Sequence, residues 1–201
     1  SDKPDLRFDL PLLDFSSFVE KSNFDTFKTI LNGGGKVKAV KINDAGTYSR
    51  KVIDELTSWL KEQYGVKGLA WMKCLDGSTF EGGISKFFDS DLQNNIINNL
   101  NILNGDIIFL VGDKSKTTLN ALGALRLELA KRANIIDETL WKPLWITDFP
   151  LFDWNEENQR WDSIHHPFTS PNLDDLDILD QDPGEVRSLG YDIVMNGYEL
   201  G

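Results

Sequence analysis

The only two histidines of the chain, His165 and His166, are adjacent in the stretch RWDSIHHPFTSP at residues 160–171. An imidazole changes charge near neutral pH, so the pair could bind an anionic ligand, act as a general base or bind zinc. Zinc is the weakest of these, because adjacent strand residues point in opposite directions and Cys74 is distant in sequence. Alternatively, neither histidine has a functional role: one is hydrogen-bonded in the core and the other is exposed.

Two carboxylates, Asp192 and Glu199, lie seven residues apart in the stretch YDIVMNGYELG. In one regular strand, an odd separation places two side chains on opposite faces. A β-bulge at Asn196-Gly197 would return both to one face, where they could bind the Mg²⁺ that bridges nucleotide phosphates. The alternative is two solvent-facing acidic residues, with Asn196-Gly197 as an ordinary turn.

Four tryptophans could stack on nucleic-acid bases or could pack across a hairpin: Trp141, Trp145, Trp154 and Trp161. Base-stacking sites combine aromatic rings with a positively charged groove. Residues 142–201 hold three basic and thirteen acidic residues, however, and residues 1–141 hold 18 and 19. Hairpin packing is therefore favoured, and the chain alone is not expected to bind nucleic acid strongly.

The composition is typical of a folded protein. The chain has 201 residues, of which 40% are hydrophobic, enough for one large domain or two small ones. No apolar run approaches the roughly 18 residues of a membrane span, and the charged first residues do not resemble a signal peptide. A single cysteine allows no internal disulfide, which favours a cytoplasmic location.

Apolar spacing and capping residues predict alternating helices and strands up to residue 136. Helices are predicted at 23–35, 49–65, 89–100 and 115–136, and strands at 36–42, 68–74 and 105–113. The continuous apolar run at 105–113 is typical of a central strand, buried on both faces. This pattern predicts a small domain of the α+β or split β-α-β type, in which helices pack on a short sheet.

A different texture begins near residue 141. Two aromatic, β-rich runs on either side of NEENQ predict a β-hairpin, with Pro150 at an edge or a bulge. An acidic connector at 172–186 and a last strand at 191–200 follow. The abrupt end on Gly201 suggests a cut through a larger domain.

Seven stretches together resemble the bacterial-type aspartyl-tRNA synthetases, in that family's order: SDKPDLRF, VKGLAWMK, GDIIFLVGDK, LGALRLELAKRANIID, WITDFPLFDWNEENQRW, HHPFTSP and YDIVMNGYELG. The resemblance implies that residues 14–137 are an α+β insertion domain, shared with a subunit of a tRNA-dependent amidotransferase. It implies that residues 1–13 lead into, and residues 138–201 form part of, a class II catalytic domain with an antiparallel sheet.

The resemblance also assigns roles to the candidate residues. It implies that His165 binds the substrate L-aspartate, that Glu199 contacts ATP and its Mg²⁺, and that Asp192 supports the same metal site. The parent enzyme would be a cytoplasmic homodimer that joins aspartate to tRNA.

Several parts of that family are missing from the 201 residues, including the anticodon-binding barrel and signature motifs with the arginine that grips ATP. We therefore expect a fragment that is inactive alone. A non-catalytic binding or assembly module of the amidotransferase is the alternative, although such a module has no need of HHPFT or YDIVMNGYEL.

Overall fold

The computed structural model describes residues 3–43, 45–166 and 168–201. Pro167 of the HHPFTSP stretch, and the first two residues of SDKPDLRF, lie outside these ranges. The chain divides into two compact units. The first unit comprises residues 8–136, and the second comprises residues 3–7 together with 137–201.

The first unit contains a five-stranded antiparallel sheet in the order β1-β2-β5-β3-β4. Its strands are β1 (Leu13–Asp14), β2 (Lys36–Asn43), β3 (Ala70–Cys74), β4 (Phe80–Glu81) and β5 (Asp106–Asp113). As predicted, β5 is central, with β2 and β3 as its neighbours. Alternate residues of β5 enter two separate cores: Phe109 packs in one, and Ile108 and Leu110 pack in the other.

In the part of the chain that the structure describes, five α-helices pack side chains into these two cores. They are α1 (Ser16–Lys21), α2 (Asp25–Asn32), α3 (Arg50–Tyr64), α4 (Ser90–Asn99) and α5 (Ser115–Arg132). The helices predicted at 49–65 and 89–100 are each capped at that first residue: Ser49 accepts a hydrogen bond from the Val52 amide, and Asp89 accepts one from the Leu92 amide. The α+β class is confirmed, whereas the short elements α1, β1 and β4 were not predicted.

The second unit contains two small antiparallel sheets. One has the strand order β10-β9-β6, built from β6 (Pro143–Ile146), β9 (Asp192–Met195) and β10 (Tyr198–Glu199). The other is the hairpin of β7 (Phe152–Asn155) and β8 (Arg160–Ser163), which confirms the predicted NEENQ turn. Its rings of Trp154 and Trp161 lie directly opposite each other, with centroids 5.3 Å apart.

Two details of the predicted second part are wrong. The single strand expected at 191–200 is a hairpin, because the chain reverses between β9 and β10. The aromatic run before NEENQ does not form one continuous strand either. Trp145 belongs to β6, and its ring packs against that of Tyr191 with centroids 5.5 Å apart. Pro150 lies between β6 and β7, in an isolated bridge with Arg187.

The start of the second unit is held by an arginine with two carboxylate partners. The Arg7 guanidinium donates to Asp5 at 2.7 Å and also to Glu138. These contacts raise the pKa of Arg7. In the described ranges, no helix is both long and apolar enough to span a bilayer.

Candidate ligand-binding residues in the second unit

The turn between β9 and β10 determines how Asp192 and Glu199 are arranged. Asn196 and Gly197 have φ angles of 53° and 84°, as a two-residue type I′ hairpin turn requires. Of the two arrangements that the sequence left open at this dipeptide, the ordinary turn is confirmed and the β-bulge is wrong. Asn196 tolerates the left-handed conformation, and its amide also donates to the Leu140 carbonyl at 2.9 Å.

The hairpin nevertheless places both carboxylates on one face of the sheet. Glu199 pairs directly with Val194, and residues directly opposite in an antiparallel pair share a face. Asp192 precedes Val194 by two positions and therefore lies on that face too. The odd-separation rule fails because the two acidic residues lie on different strands, as diagonal neighbours.

The two carboxylates have different surroundings. Asp192 is half-buried and pairs with Ile146 of β6. The Glu199 side chain is 42% exposed and forms an ion pair with Lys3, with 2.8 Å between Nζ and Oε2. Glu199 thus already binds one cation, the ammonium group of Lys3.

This donor set fits Mg²⁺ better than zinc. Over residues 3–43, 45–166 and 168–201, no group of three or more histidine, cysteine or acidic residues could hold a metal ion. Structural zinc sites need four such ligands, and catalytic ones need three. Mg²⁺ is commonly held by one or two carboxylates together with substrate phosphates and water, so Asp192 and Glu199 could suffice.

The two histidines differ in their surroundings. The half-buried His165 packs edge-on against Phe149, with ring centroids 5.0 Å apart. Its Nε2 atom is buried and has no hydrogen-bond partner. Leaving a buried polar atom unpaired costs about 1–3 kcal/mol, so this nitrogen would gain from a ligand.

The second histidine has an exposed, local arrangement. His166 accepts a hydrogen bond at Nδ1 from the Phe168 amide at 3.3 Å, and its ring packs on that of Phe168. The side chain of Phe168 is itself largely exposed. The alternative of one exposed histidine and one hydrogen-bonded in the core is thus right about His166, which is exposed. It is wrong about His165, because Nε2 of this half-buried residue has no hydrogen-bond partner.

The segment around residue 187 holds an ion pair that sequence reasoning missed. Asp175 Oδ2 accepts from the Arg187 amide and from Nε, both at 2.9 Å, and Oδ1 accepts from Nη2 at 2.8 Å. These bonds from Arg187 lower the pKa of Asp175 to about 2. One available signal was that Arg187 is the only lysine or arginine between residues 161 and 201.

The low pKa of Asp175 predicts acid sensitivity. An unfolded aspartate has a pKa of about 3.9, so the ion pair stabilises the second unit above about pH 4. We expect that contribution to be lost as the pH falls from about 4 through about 2. Asp175→Asn should flatten this part of the profile, as measured by tryptophan fluorescence during urea unfolding.

Asp177→Asn is the matched control, because Asp177 lies with Asp175 in the 3₁₀ helix Leu173–Ile178 and has an exposed side chain. It should leave the acid profile unchanged. Equal profiles for unmodified protein and Asp175→Asn would contradict the prediction. The nearby Asp148 and Asp174 also act on Arg187, so their contribution is common to both variants.

Comparison with known protein families gives a match within the first unit. Residues 27–122 match the family model of the GAD domain. These residues run from α2 to the first half of α5 and include strands β2 to β5, so the match covers most of the first unit.

Comparison with individual proteins then covers both units. The chain is 46% identical over 200 residues to the aspartate–tRNA(Asp/Asn) ligase of Desulfatibacillum aliphaticivorans, covering all of this chain and 33% of that protein. It is 46% identical to the aspartate–tRNA(Asp/Asn) ligase of Geobacillus sp. and 44% to the aspartate–tRNA ligase of Halalkalibacterium halodurans, each over 202 residues. Each of these two matches covers all of this chain and 34% of the related protein.

These matches confirm the resemblance that the seven stretches indicate. The chain is homologous over its whole length to aspartate–tRNA ligases and spans about a third of the length of these relatives.

Proposed function

We propose that this chain is part of an aspartate–tRNA ligase, which activates L-aspartate with ATP and transfers it to tRNA. The supporting observation is an identity of 41–46% to such ligases that extends over both compact units. Such activation proceeds by attack of the aspartate carboxylate on the α-phosphate of ATP, with release of pyrophosphate. Positioning of the two substrates supplies much of the catalysis.

In this proposal, His165 binds the substrate aspartate. The buried, unpaired Nε2 is the supporting observation, because a hydrogen bond from it to a carboxylate would satisfy both groups. The Phe149 ring beside it provides an apolar wall that strengthens such a bond by excluding water.

Asp192 and Glu199 would hold Mg²⁺ on the phosphates of ATP, and Glu199 would also contact the nucleotide. Their common face on the β9–β10 hairpin supports this role. When bound, Mg²⁺ would neutralise negative charge on the phosphates during displacement. The Lys3 ammonium pairs with Glu199, so we infer that it would have to release this carboxylate when the metal binds.

We further infer a cytoplasmic, homodimeric parent enzyme, in which residues 14–137 form the insertion domain and residues 1–13 and 138–201 belong to the class II catalytic domain. The GAD-domain match at 27–122 and the compact unit at 8–136 support an insertion domain in this part of the chain, although residues 8–13 also belong to that unit. The alternative, a non-catalytic amidotransferase module, has less support, because the homology to ligases includes residues 137–201.

The test is aspartate-dependent exchange of pyrophosphate into ATP, measured for the complete ligase and for the 201-residue chain. We expect exchange by the complete ligase that depends on both aspartate and Mg²⁺, and no exchange by the 201 residues alone. Absence of exchange by the complete ligase would favour the amidotransferase module. Exchange by the 201-residue chain would contradict the proposal that it is an inactive part.

A further inference from the structure

We propose that Asp175 and Arg187 are positioning residues for aspartate binding, which they support by fixing Phe149 against the imidazole of His165. This inference rests on the proposed function of His165. Neither charged residue is assigned a role by the sequence resemblance. Three successive sets of contacts connect the ion pair to the histidine.

The first set anchors the backbone at Arg187. Asp175 is 9% exposed and binds both the guanidinium and the backbone amide of Arg187, so it fixes the main chain as well as the side chain. The Asn172 amide donates to the Arg187 carbonyl at 2.8 Å, and the Asp175 amide donates to the Asn172 carbonyl at 3.0 Å. These bonds make residues 172–175 and Arg187 one hydrogen-bonded structure.

The second set extends this structure to Phe149. The Ser188 amide donates to the Phe149 carbonyl at 2.6 Å, and the Leu151 amide donates to the Val186 carbonyl at 2.8 Å. Arg187 lies between these two bonds and reaches Asp148 with its other guanidinium nitrogen at 3.4 Å. Arg187 is therefore bound to Asp175 on one side, while on the other side its two chain neighbours bind the backbone of Phe149 and Leu151 and its side chain binds Asp148.

The third set orients His165. The Ile164 amide donates to the Leu151 carbonyl at 3.2 Å, so the backbone just before His165 is attached to the same segment. The Phe149 ring then meets the imidazole edge-on, at an interplanar angle of 66°. Because Nε2 has no hydrogen-bond partner, the imidazole is oriented without help from that atom, and the Phe149 ring contact and the attached backbone restrain it.

The test uses Asp175→Asn and Phe149→Leu in the complete ligase, with KM measured separately for aspartate and ATP. We expect either change to raise KM for aspartate about 10-fold and to leave KM for ATP and kcat nearly unchanged. In metal sites, residues that orient a ligand-binding side chain contribute 10–100-fold. Arg187→Lys, which keeps the charge but loses the forked geometry, provides the same test if Asp175→Asn fails to fold.

Arg160→Lys is the matched control, because Arg160 pairs with Asp162 at 2.7 Å on the exposed side of the β7–β8 hairpin. It should change neither KM. An equal rise in both KM values, a fall in kcat alone, or no change for Asp175→Asn and Phe149→Leu would overturn the inference, because each indicates a role other than orienting His165.

His165→Ala separates failure of this inference from failure of the proposed function. If His165→Ala leaves KM for aspartate unchanged, the proposed role of His165 is wrong, and the positioning role is wrong with it. If His165→Ala raises KM but Asp175→Asn does not, only the positioning role is wrong. The double variant with Asp175→Asn and His165→Ala should raise KM for aspartate no more than His165→Ala alone. Additive effects of the two substitutions on this KM would overturn the inference.

Discussion

Replacing His165 with alanine in the complete ligase is expected to raise KM for aspartate roughly 10- to 100-fold, with a much smaller change in KM for ATP. A hydrogen bond to a charged group contributes about 1.5–3 kcal/mol, and each 1.4 kcal/mol corresponds to a tenfold change in binding. The unpaired, buried Nε2 is the atom that would supply this bond. The measurement is pyrophosphate exchange over a range of aspartate concentrations.

His166→Ala is the matched control, because it removes the neighbouring imidazole, whose contacts are with the exposed Phe168. We expect at most a small effect on aspartate binding. If His166→Ala raises KM for aspartate and His165→Ala does not, the roles assigned to the pair are reversed.

Glu199→Gln is expected to reduce kcat/KM for ATP by about 100-fold or more and to raise the Mg²⁺ concentration needed for half-maximal exchange. The amide keeps the size of the side chain but removes the charge that would hold the metal, and such metals contribute several kcal/mol to charge stabilisation. The loss of the Lys3 ion pair should cost little stability, because both partners are more than 40% exposed.

Glu157→Gln is a suitable control, since Glu157 is an exposed carboxylate in the turn between β7 and β8. It should leave the Mg²⁺ requirement unchanged. An unaltered Mg²⁺ requirement in Glu199→Gln would remove Glu199 from the metal site. Asp192→Asn should act in the same direction as Glu199→Gln, because both carboxylates lie on one face.

Local signals predicted the long elements of the first unit well. The central position of β5 follows from its continuous apolar run, because only a strand covered on both faces buries both sets of side chains. The α3 boundaries follow from Ser49 and from Gly65, which has the left-handed φ of 69° that ends a helix. The strand order could not be predicted, because it depends on pairings distant in sequence.

The candidate site was harder to predict than the fold, since its geometry depends on a chain reversal. In a single regular strand Asp192 and Glu199 would lie on opposite faces, whereas in a two-residue hairpin they lie on the same face. Which arrangement forms depends on Asn196-Gly197. The dipeptide is a strong hairpin signal, and the structure has this turn and not the bulge. The contacts of Arg187 with Asp148 and Asp175 join residues distant in sequence, so periodicity could not reveal them.

The division of the chain into units determines the order in which its parts can fold during synthesis. The first unit, residues 8–136, is complete before residue 137 is added, whereas the second unit needs residues 3–7 together with that later part. At 5–20 residues per second, synthesis of residues 137–201 takes roughly 3–13 s. Arg7 can pair with Asp5 at once, but it can pair with Glu138 only after every residue of the first unit has been synthesised, so the second unit is completed after the first.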